Sequence, residues 1–583
     1  RFWLSIIIDE EEPKPLPNLD YKIVVGNSLL NKFEDHVIDI EWEVKEGAQT
    51  NTKTQEFLER RSDLLQKISE KQKLYFDTES SNRADLSQEI KDLKIDILIN
   101  QIEMKISSEG TENEPKVENF ARKSNFVKAQ NLYLQTLEWK GVISELEGIR
   151  GTDKPFKHFD WKLDFPEILN PNIKKEGTGF DLVIGNPPYD VYEGDKVAEL
   201  DFLKEKWIYK ISKGGKLNAY KLFIGQCIEL TKMAGVYSLI FQNSFLADKE
   251  ASGVRLENLK NQRIIKIDSF PERDNVQLRV FESVKMSVCI LLGKRESFDD
   301  YEFELNVWMD KFMEHGYSTN FFYSEIMEFD KKTFQIPLLQ EQEKRVFRNF
   351  YLGEGRNKLG DLFQCYQGEL NMSNHRQYFT SIKNDFLSIK GAQVLKYRIT
   401  DNPSQGEIEY VLKEKYLAEN NGPKSRHYLY SRCVMQGITG VNERFRLKAA
   451  VLESNNFCAH SCNYILGDER YPNELLMLFL NSTIFNWIFK KTSTNSNVNS
   501  YEIENMPLPE IGLKTKENLI KISKEIIEKK LQAEDSKELE RLVDVILYKL
   551  YNIDFLGIKV IDPTFWLSEK EYNSFSLEDS RYE

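Results

Sequence analysis

The chain has 583 residues, 40% of them hydrophobic, and a formal net charge of −13. That length is too great for one ordinary core and the apolar content is ample, so two or three globular domains are expected and a disordered chain is excluded. The acidic balance argues against wholesale coating of nucleic acid, although residues 351–500 carry 18 Lys and Arg against 14 Asp and Glu, a local surplus of four that is compatible with DNA contact and equally with ordinary charge fluctuation.

In chain order, "RFWLSIII" (1–8) reads as the end of an element that lacks a start signal, which predicts that further sequence precedes it. It runs into "DEEE" without the small residues of a cleavage site, and no run of about 18 apolar residues occurs, so neither a signal peptide nor a membrane span is expected. "YKIVVGNSLL" (21–30) predicts a short strand closed by a Gly-Asn-Ser turn. Across 52–107, Phe57, Leu58, Leu64, Leu65 and Ile68 form one helical stripe and Ile90, Leu93 and Ile97 another, which predicts an antiparallel helical pair bent at "DTESSNRAD" (77–85), a solvated structural arm.

"FDLVIGNPPY" (180–189) is an apolar strand of the kind packed on both faces, punctuated at its start by Gly177 and Gly179 and stopped by two prolines. Proline lacks the N–H and restricts its predecessor to extended conformations, so Asn186 and Pro187 are held rigidly at the carboxyl end of the strand, where open α/β sheets bind ligands. Helices then follow over 218–233 and 254–261, and strands over 235–245, 264–270 and 285–295. This alternation predicts a doubly wound, mainly parallel sheet. Residues 301–350 read as a linker region, 351–512 as short strands and polar loops ending near the helix "ELLMLFLNSTIFNWIFKK" (474–491), and 513–583 as a helical tail.

The six cysteines show no CxxC spacing and read as reduced, buried thiols. "CAHSC" (458–462) crowds two thiols and one His into five residues, poor geometry for a tetrahedral ion, and no metal is expected.

The chemistry lies at Asn186. Its side-chain carbonyl and the carbonyl of Pro187 are two acceptors about one amino group apart, a receptor for an exocyclic NH₂ whose lone pair is thereby aimed at an electrophilic methyl group. Tyr189 can stack on the planar ring. A base inside a duplex cannot reach such a pocket, so it must be flipped out. The competing reading is an ordinary turn, because Asn and Pro are turn residues.

"DLVIGNPPY" resembles the catalytic motif of amino-group methyltransferases that use S-adenosylmethionine. Together with "SIIIDEEEPKPLPNLDYKIVVGNSLL", "FDWKLDFPEIL" (159–169) and "LLMLFLNSTIFNWIFKK…YEIENMPLPE", it resembles the N6-adenine DNA methyltransferases of type IIG restriction–modification systems, over nearly the whole chain. The resemblance implies an α/β, Rossmann-like methyltransferase fold. Its first part occupies 1–50, a helical insertion 51–150 and the catalytic part 151–300, with a target-recognition α+β domain at 351–512 that binds DNA. It implies catalytic roles for Asn186, Pro187, Pro188 and Tyr189, and stacking of the flipped adenine on Tyr189 and Phe281. Contacts to S-adenosylmethionine fall to Asn27, Asn186, Asn218, Tyr220 and Phe223. Asn27 could equally cap its turn, and Phe223 and Phe281 could equally be core. Arg432, Arg444, Arg446 and Lys448 are the implied DNA contacts, with a solvated strand edge as the alternative.

The family's Gly-rich methyl-donor loop and its ribose-binding acid are not found. "GTG" (177–179), "KGGK" (213–216) and "GEG" (353–355) lack the strand–loop–helix context, so a partner chain supplying that loop is a possible requirement. The implied function is site-specific adenine methylation of double-stranded DNA in a prokaryotic cytoplasm. The alternatives are a DNA-binding fragment that needs another chain for the donor, and a protein-glutamine methyltransferase.

Overall fold

A computed structural model describes residues 21–42, 52–77, 82–111, 113–119, 122–193, 203–204, 206–403, 406–440, 443–493 and 496–577. The opening stretch 1–20 and the centre of the expected helical bend, 78–81, lie outside the described residues. The chain divides into two compact units, one of residues 1–184, 194–208 and 222–237, the other of 185–193, 209–221 and 238–583.

In the first unit, helices α1 (Thr52–Asp77) and α2 (Arg83–Glu109) form the expected antiparallel pair, tied by Arg60 to Glu103 at 3.3 Å and by Arg61 Nε to Asn100 at 3.2 Å. Leu65, Ile68, Ile90 and Ile97 are buried, as their helical spacing requires. The pair is not a solvated arm, however. α2 is buried at Lys94, Ile95 and every position from Ile97 to Ile102, because Phe33, Ile38, Ile40 and Trp42 pack into the same core as Val142 and Leu146 of a third helix, α3 (Lys123–Ile149). Inside this core Lys94 Nζ meets Asp164 at 2.6 Å, and Asp164 also accepts the backbone N–H of Asp160 at 2.9 Å.

Residues 21–30 form turns rather than the expected strand; Ile23 and Val25 are exposed. A strand takes its hydrogen bonds from neighbours, and β-rich composition cannot supply them. Strand β1 (Phe180–Gly185) does form. It is entered through Gly179 at φ +118°, where a Cβ would lie 2.4 Å from the backbone N of Lys232, so only glycine fits both the conformation and the space.

The chain continues through α4 (Ala219–Leu230) into β2 (Thr231–Gln242), then β3 (Arg263–Phe270), β4 (Val288–Lys294), β5 (Glu302–Trp308) and β6 (Gly316–Phe322). The strand order is β6-β5-β3-β4-β2-β1. β3 and β5 are parallel, whereas β3–β4 and β5–β6 are antiparallel, so this is a mixed α/β sheet and the expectation of a mainly parallel one is corrected. The reason is in the connections: residues 271–287 and 309–315 contain no helix, and such short returns reverse the strand. Residues 301–350 are accordingly no bare linker, since they hold β5, β6 and helix α5 (Glu341–Leu352).

Farther along the second unit, β7 (Cys365–Gln367), β8 (Arg432–Gln436), β9 (Ala449–Leu452) and β10 (Cys462–Ile465) form an antiparallel sheet in the order β7-β10-β8-β9. The single helix expected at 474–491 is two: α6 (Asn473–Asn481) and α7 (Thr483–Thr492). Ser482 leaves the helical conformation at ψ 157° and its hydroxyl caps the N–H of Phe485 at 3.4 Å. The expected helical tail contains α8 (Leu513–Leu531) and α9 (Lys537–Leu550), whose Ile526 and Leu547 are fully enclosed.

Candidate active site

β1 ends at Gly185, and Asn186 to Pro188 follow outside helix and strand. Pro187 is buried, while Asn186 stands exposed at the strand's carboxyl end. Tyr189 meets Phe281 edge to face, ring centroids 5.9 Å apart and planes at 68°. Phe281 lies in the helix-free connection between β3 and β4, so the long-range aromatic pair expected from the sequence is brought together. The Tyr189 hydroxyl is enclosed without a hydrogen-bond partner, and burial pushes its pKa up to about 12. Its carbonyl accepts Gln242 Nε2 at 3.4 Å.

Beyond Tyr189, Val191–Tyr192 pairs antiparallel with Leu217–Asn218, and the N–H of Ala219 donates to Asp190 at 2.9 Å. Asn218 is therefore fixed to the segment that carries the Asn-Pro-Pro-Tyr run. The "KGGK" turn before it is held from within by Lys221, whose buried ammonium donates to the carbonyls of Gly214 (3.0 Å), Lys216 (2.8 Å) and Glu250 (3.1 Å). Sequence reasoning missed Lys221. The available signal was a lysine at the start of a helix whose neighbours Ala219, Tyr220 and Leu222 are all apolar.

The remaining expected donor contacts fare differently. Tyr220 is enclosed and stacked on Phe241 at 5.3 Å and 10°, a core side chain rather than a pocket wall. Packing wins because the ring falls on the inner face of α4. Asn27 accepts the N–H groups of Leu29 (2.9 Å) and Leu30 (3.1 Å) and so caps its own turn. Phe223 is half-buried.

Two of the four expected DNA contacts are corrected. Arg432 is fully buried against Glu369, donates to the Asn456 carbonyl and lies 4.5 Å from the Tyr464 ring centre. Arg446 is also buried, 4.7 Å from the ring centre of Phe489, with Nε 3.4 Å from the Thr439 hydroxyl. A guanidinium enclosed inside the fold cannot reach a phosphate. Arg444 is exposed, and Lys448, which is half-buried, pairs with Glu443. Cys458 and Cys462 are buried thiols.

Beside Arg446, burial raises the Glu502 carboxyl to about 7, against hydrogen bonds from Asn499 and Ser493 and the Arg446 charge, which act downward. The folded chain thus keeps a proton that the unfolded chain releases near the ordinary value of 4.5. The resulting stability is complete below that value and lost as the pH rises through 7. Glu502→Gln is expected to flatten the decline in thermal midpoint over this range; an unchanged slope in a pH series of melts contradicts the assignment.

The family model described as Eco57I restriction-modification methylase matches residues 58–276. Those residues are thus similar to the methylases of restriction-modification systems. The matched span takes in α2, α3, β1, the Asn186–Tyr189 run and β3, so these helices lie inside it, whereas Asn27 and Phe281 fall outside it. Over 322 residues the chain is 26% identical to a protein of Methanocaldococcus jannaschii named as a type II restriction enzyme and methyltransferase, a match covering 50% of this chain and 24% of that one. The chain thus spans about a quarter of that relative's length.

Among solved structures, the type IIL restriction-modification enzyme MmeI in complex with DNA aligns at 11% identity over 90% of this chain and 77% of its own, TM-score 0.42. The type IIG restriction endonuclease BpuSI aligns at 13% over 81% and 70%, TM-score 0.27.

Proposed function

We infer that the chain methylates adenine N6 in duplex DNA with S-adenosylmethionine as donor, within a restriction–modification system of the prokaryotic cytoplasm. The observation that carries this reading is the Asn186-Pro187-Pro188-Tyr189 run at the carboxyl end of a sheet strand, inside the span similar to restriction-modification methylases. The Asn186 side-chain carbonyl and the Pro187 carbonyl accept the two N–H bonds of the exocyclic amine and keep its lone pair free to attack. Tyr189 and Phe281 flank the ring. At 5.9 Å and 68° they stand too close and too tilted to hold a base between them, so one ring turns aside when the adenine enters.

S-adenosylmethionine supplies the electrophilic methyl group. The residues here fit the accepting amine better than the donor, because Tyr220 is packed into the core and the Asn27 carbonyl is taken up by its turn. Leu182, Ile184 and Met233 of β1 and β2 are exposed at 54%, 74% and 68%, an apolar surface that favours a second reading, in which a further polypeptide segment completes the donor pocket.

Transfer of tritium from labelled S-adenosylmethionine decides between them. Labelled N6-methyladenine in duplex DNA treated with this chain alone supports the first reading. Label in protein glutamine overturns the DNA substrate, and duplex binding without transfer supports the second reading.

A further inference from the structure

Three of the chain's six histidines, His375, His427 and His460, gather with Lys424 around one stretch of backbone, Gln367 to His375. The chain path accounts for this. The N–H of Leu370 donates to Cys458 at 3.0 Å and that of His460 to Leu370 at 2.8 Å. Gln367 Nε2 reaches the His460 carbonyl at 3.1 Å, and Lys424 Nζ the Gly368 carbonyl at 3.1 Å. Lys424 and the three histidines are all partly exposed, and Arg426, on the same 3-10 turn (Pro423–Leu429) as Lys424 and His427, is exposed.

Two of the rings are oriented by contacts of their own. His375 Nδ1 accepts the Asn371 N–H at 3.2 Å, so in the neutral ring the other nitrogen carries the proton. His427 Nδ1 lies 2.9 Å from the Tyr464 hydroxyl, with Tyr366 edge-on to the ring at 4.7 Å. The acidic group near them, Glu369, is enclosed and taken up by Arg432 and by the N–H of Cys458 at 2.9 Å. Among the described residues, Lys424 and Arg426 form no ion pair, and Glu369 reaches Lys424 and His427 only through its field.

We propose that this cluster is a phosphodiester-binding site by which the C-terminal module holds the backbone of duplex DNA. The proposal rests on the DNA-substrate reading above and locates its backbone contact away from Arg432 and Arg446. Lys424 and Arg426 supply positive charge, and the histidines add N–H donors. Burial, then the Arg432 and Lys424 charges, depress His427 against the opposing pull of Glu369; burial, then Lys424 and His375, depress His460. A phosphate beside them favours their charged forms, so binding takes up protons. Affinity accordingly rises as the pH falls from neutrality and is lost as the pH rises through the histidine values in the complex.

Anisotropy of a labelled duplex with the full chain tests this. Lys424→Gln with His460→Gln is expected to weaken binding about tenfold near physiological salt, and to make the slope of log K against log salt shallower by roughly 0.9 for each phosphate that the variant no longer neutralises. His427→Gln with His460→Gln is expected to flatten the gain in affinity on acidification, a gain that the unsubstituted chain shows without any variant. Unchanged affinity, salt slope and pH dependence in folded variants overturn the site. Inorganic phosphate binding that is lost in the first double variant while its duplex affinity is unchanged also overturns the DNA assignment and gives the site to a small anion. If the unsubstituted chain binds no duplex, the DNA-substrate reading falls first.

Discussion

Asn186→Ala is expected to lower methyl transfer to DNA by about two to three orders of magnitude, the size seen when one preorganised polar group is removed from a reacting centre, while duplex affinity and thermal midpoint hold. Both halves follow from position. Asn186 is exposed at the end of β1, so truncating it opens no cavity and strands no buried partner. Its carbonyl is one of only two acceptors offered to the amine in this reading, and Pro187 cannot compensate because its ring fixes the backbone. Asn186→Gln keeps the amide but displaces it by one methylene, and is expected to lose most of the activity as well, which separates geometry from chemistry. Single-turnover transfer measured beside duplex anisotropy is the check. A variant that retains more than about a tenth of the rate removes Asn186 from the amine-binding role.

The second large effect is on stability. Glu369→Ala is expected to cost about 3–5 kcal/mol, because it leaves Arg432 charged and unpaired in the interior. Both side chains are fully enclosed, and Glu369 also accepts the N–H of Cys458 at 2.9 Å, so a backbone donor is orphaned at the same time. Replacing the pair together, Glu369→Leu with Arg432→Met, is expected to restore most of the loss, since the desolvation of both charges disappears with them. Urea unfolding measures both variants. A loss below about 1 kcal/mol for Glu369→Ala would return Arg432 to the surface and reopen its DNA-contact role.

The Asn-Pro-Pro-Tyr run was legible because its physics is local: two prolines limit the backbone whatever surrounds them. The α1–α2 pair was legible for a similar reason, through the helical spacing of Leu65, Ile68, Ile90 and Ile97. The break at Ser482 lay within reach, since Asn-Ser-Thr in an apolar helix offers a cap, but the flanking hydrophobic run concealed it. Residues 21–30 misled because a strand depends on a neighbour, and the apolar letters of "YKIVV" do not name one.

Arginine side chains were the least legible. Arg432 and Arg444 are the same letter in the same basic stretch, yet one is sealed against Glu369, 63 residues away in the chain, and the other is exposed. Burial of a charge turns on the partner that folding delivers, and that partner lies outside any local window. The same holds for Lys94 with Asp164, 70 residues apart, and for Lys221, held by carbonyls on both sides of it in the chain.

By itself, then, the sequence determined the proline-restricted run at Asn186, the inner stripes of the α1–α2 pair and the basic tilt of the C-terminal module, all set by backbone restriction, periodicity or composition. Only the tertiary structure decided that the sheet is mixed, that Tyr189 and Phe281 touch, that Tyr220, Arg432 and Arg446 serve the core, and that three histidines converge on Lys424. Each of these depends on which distant segments pack together, and packing is a property of the whole chain.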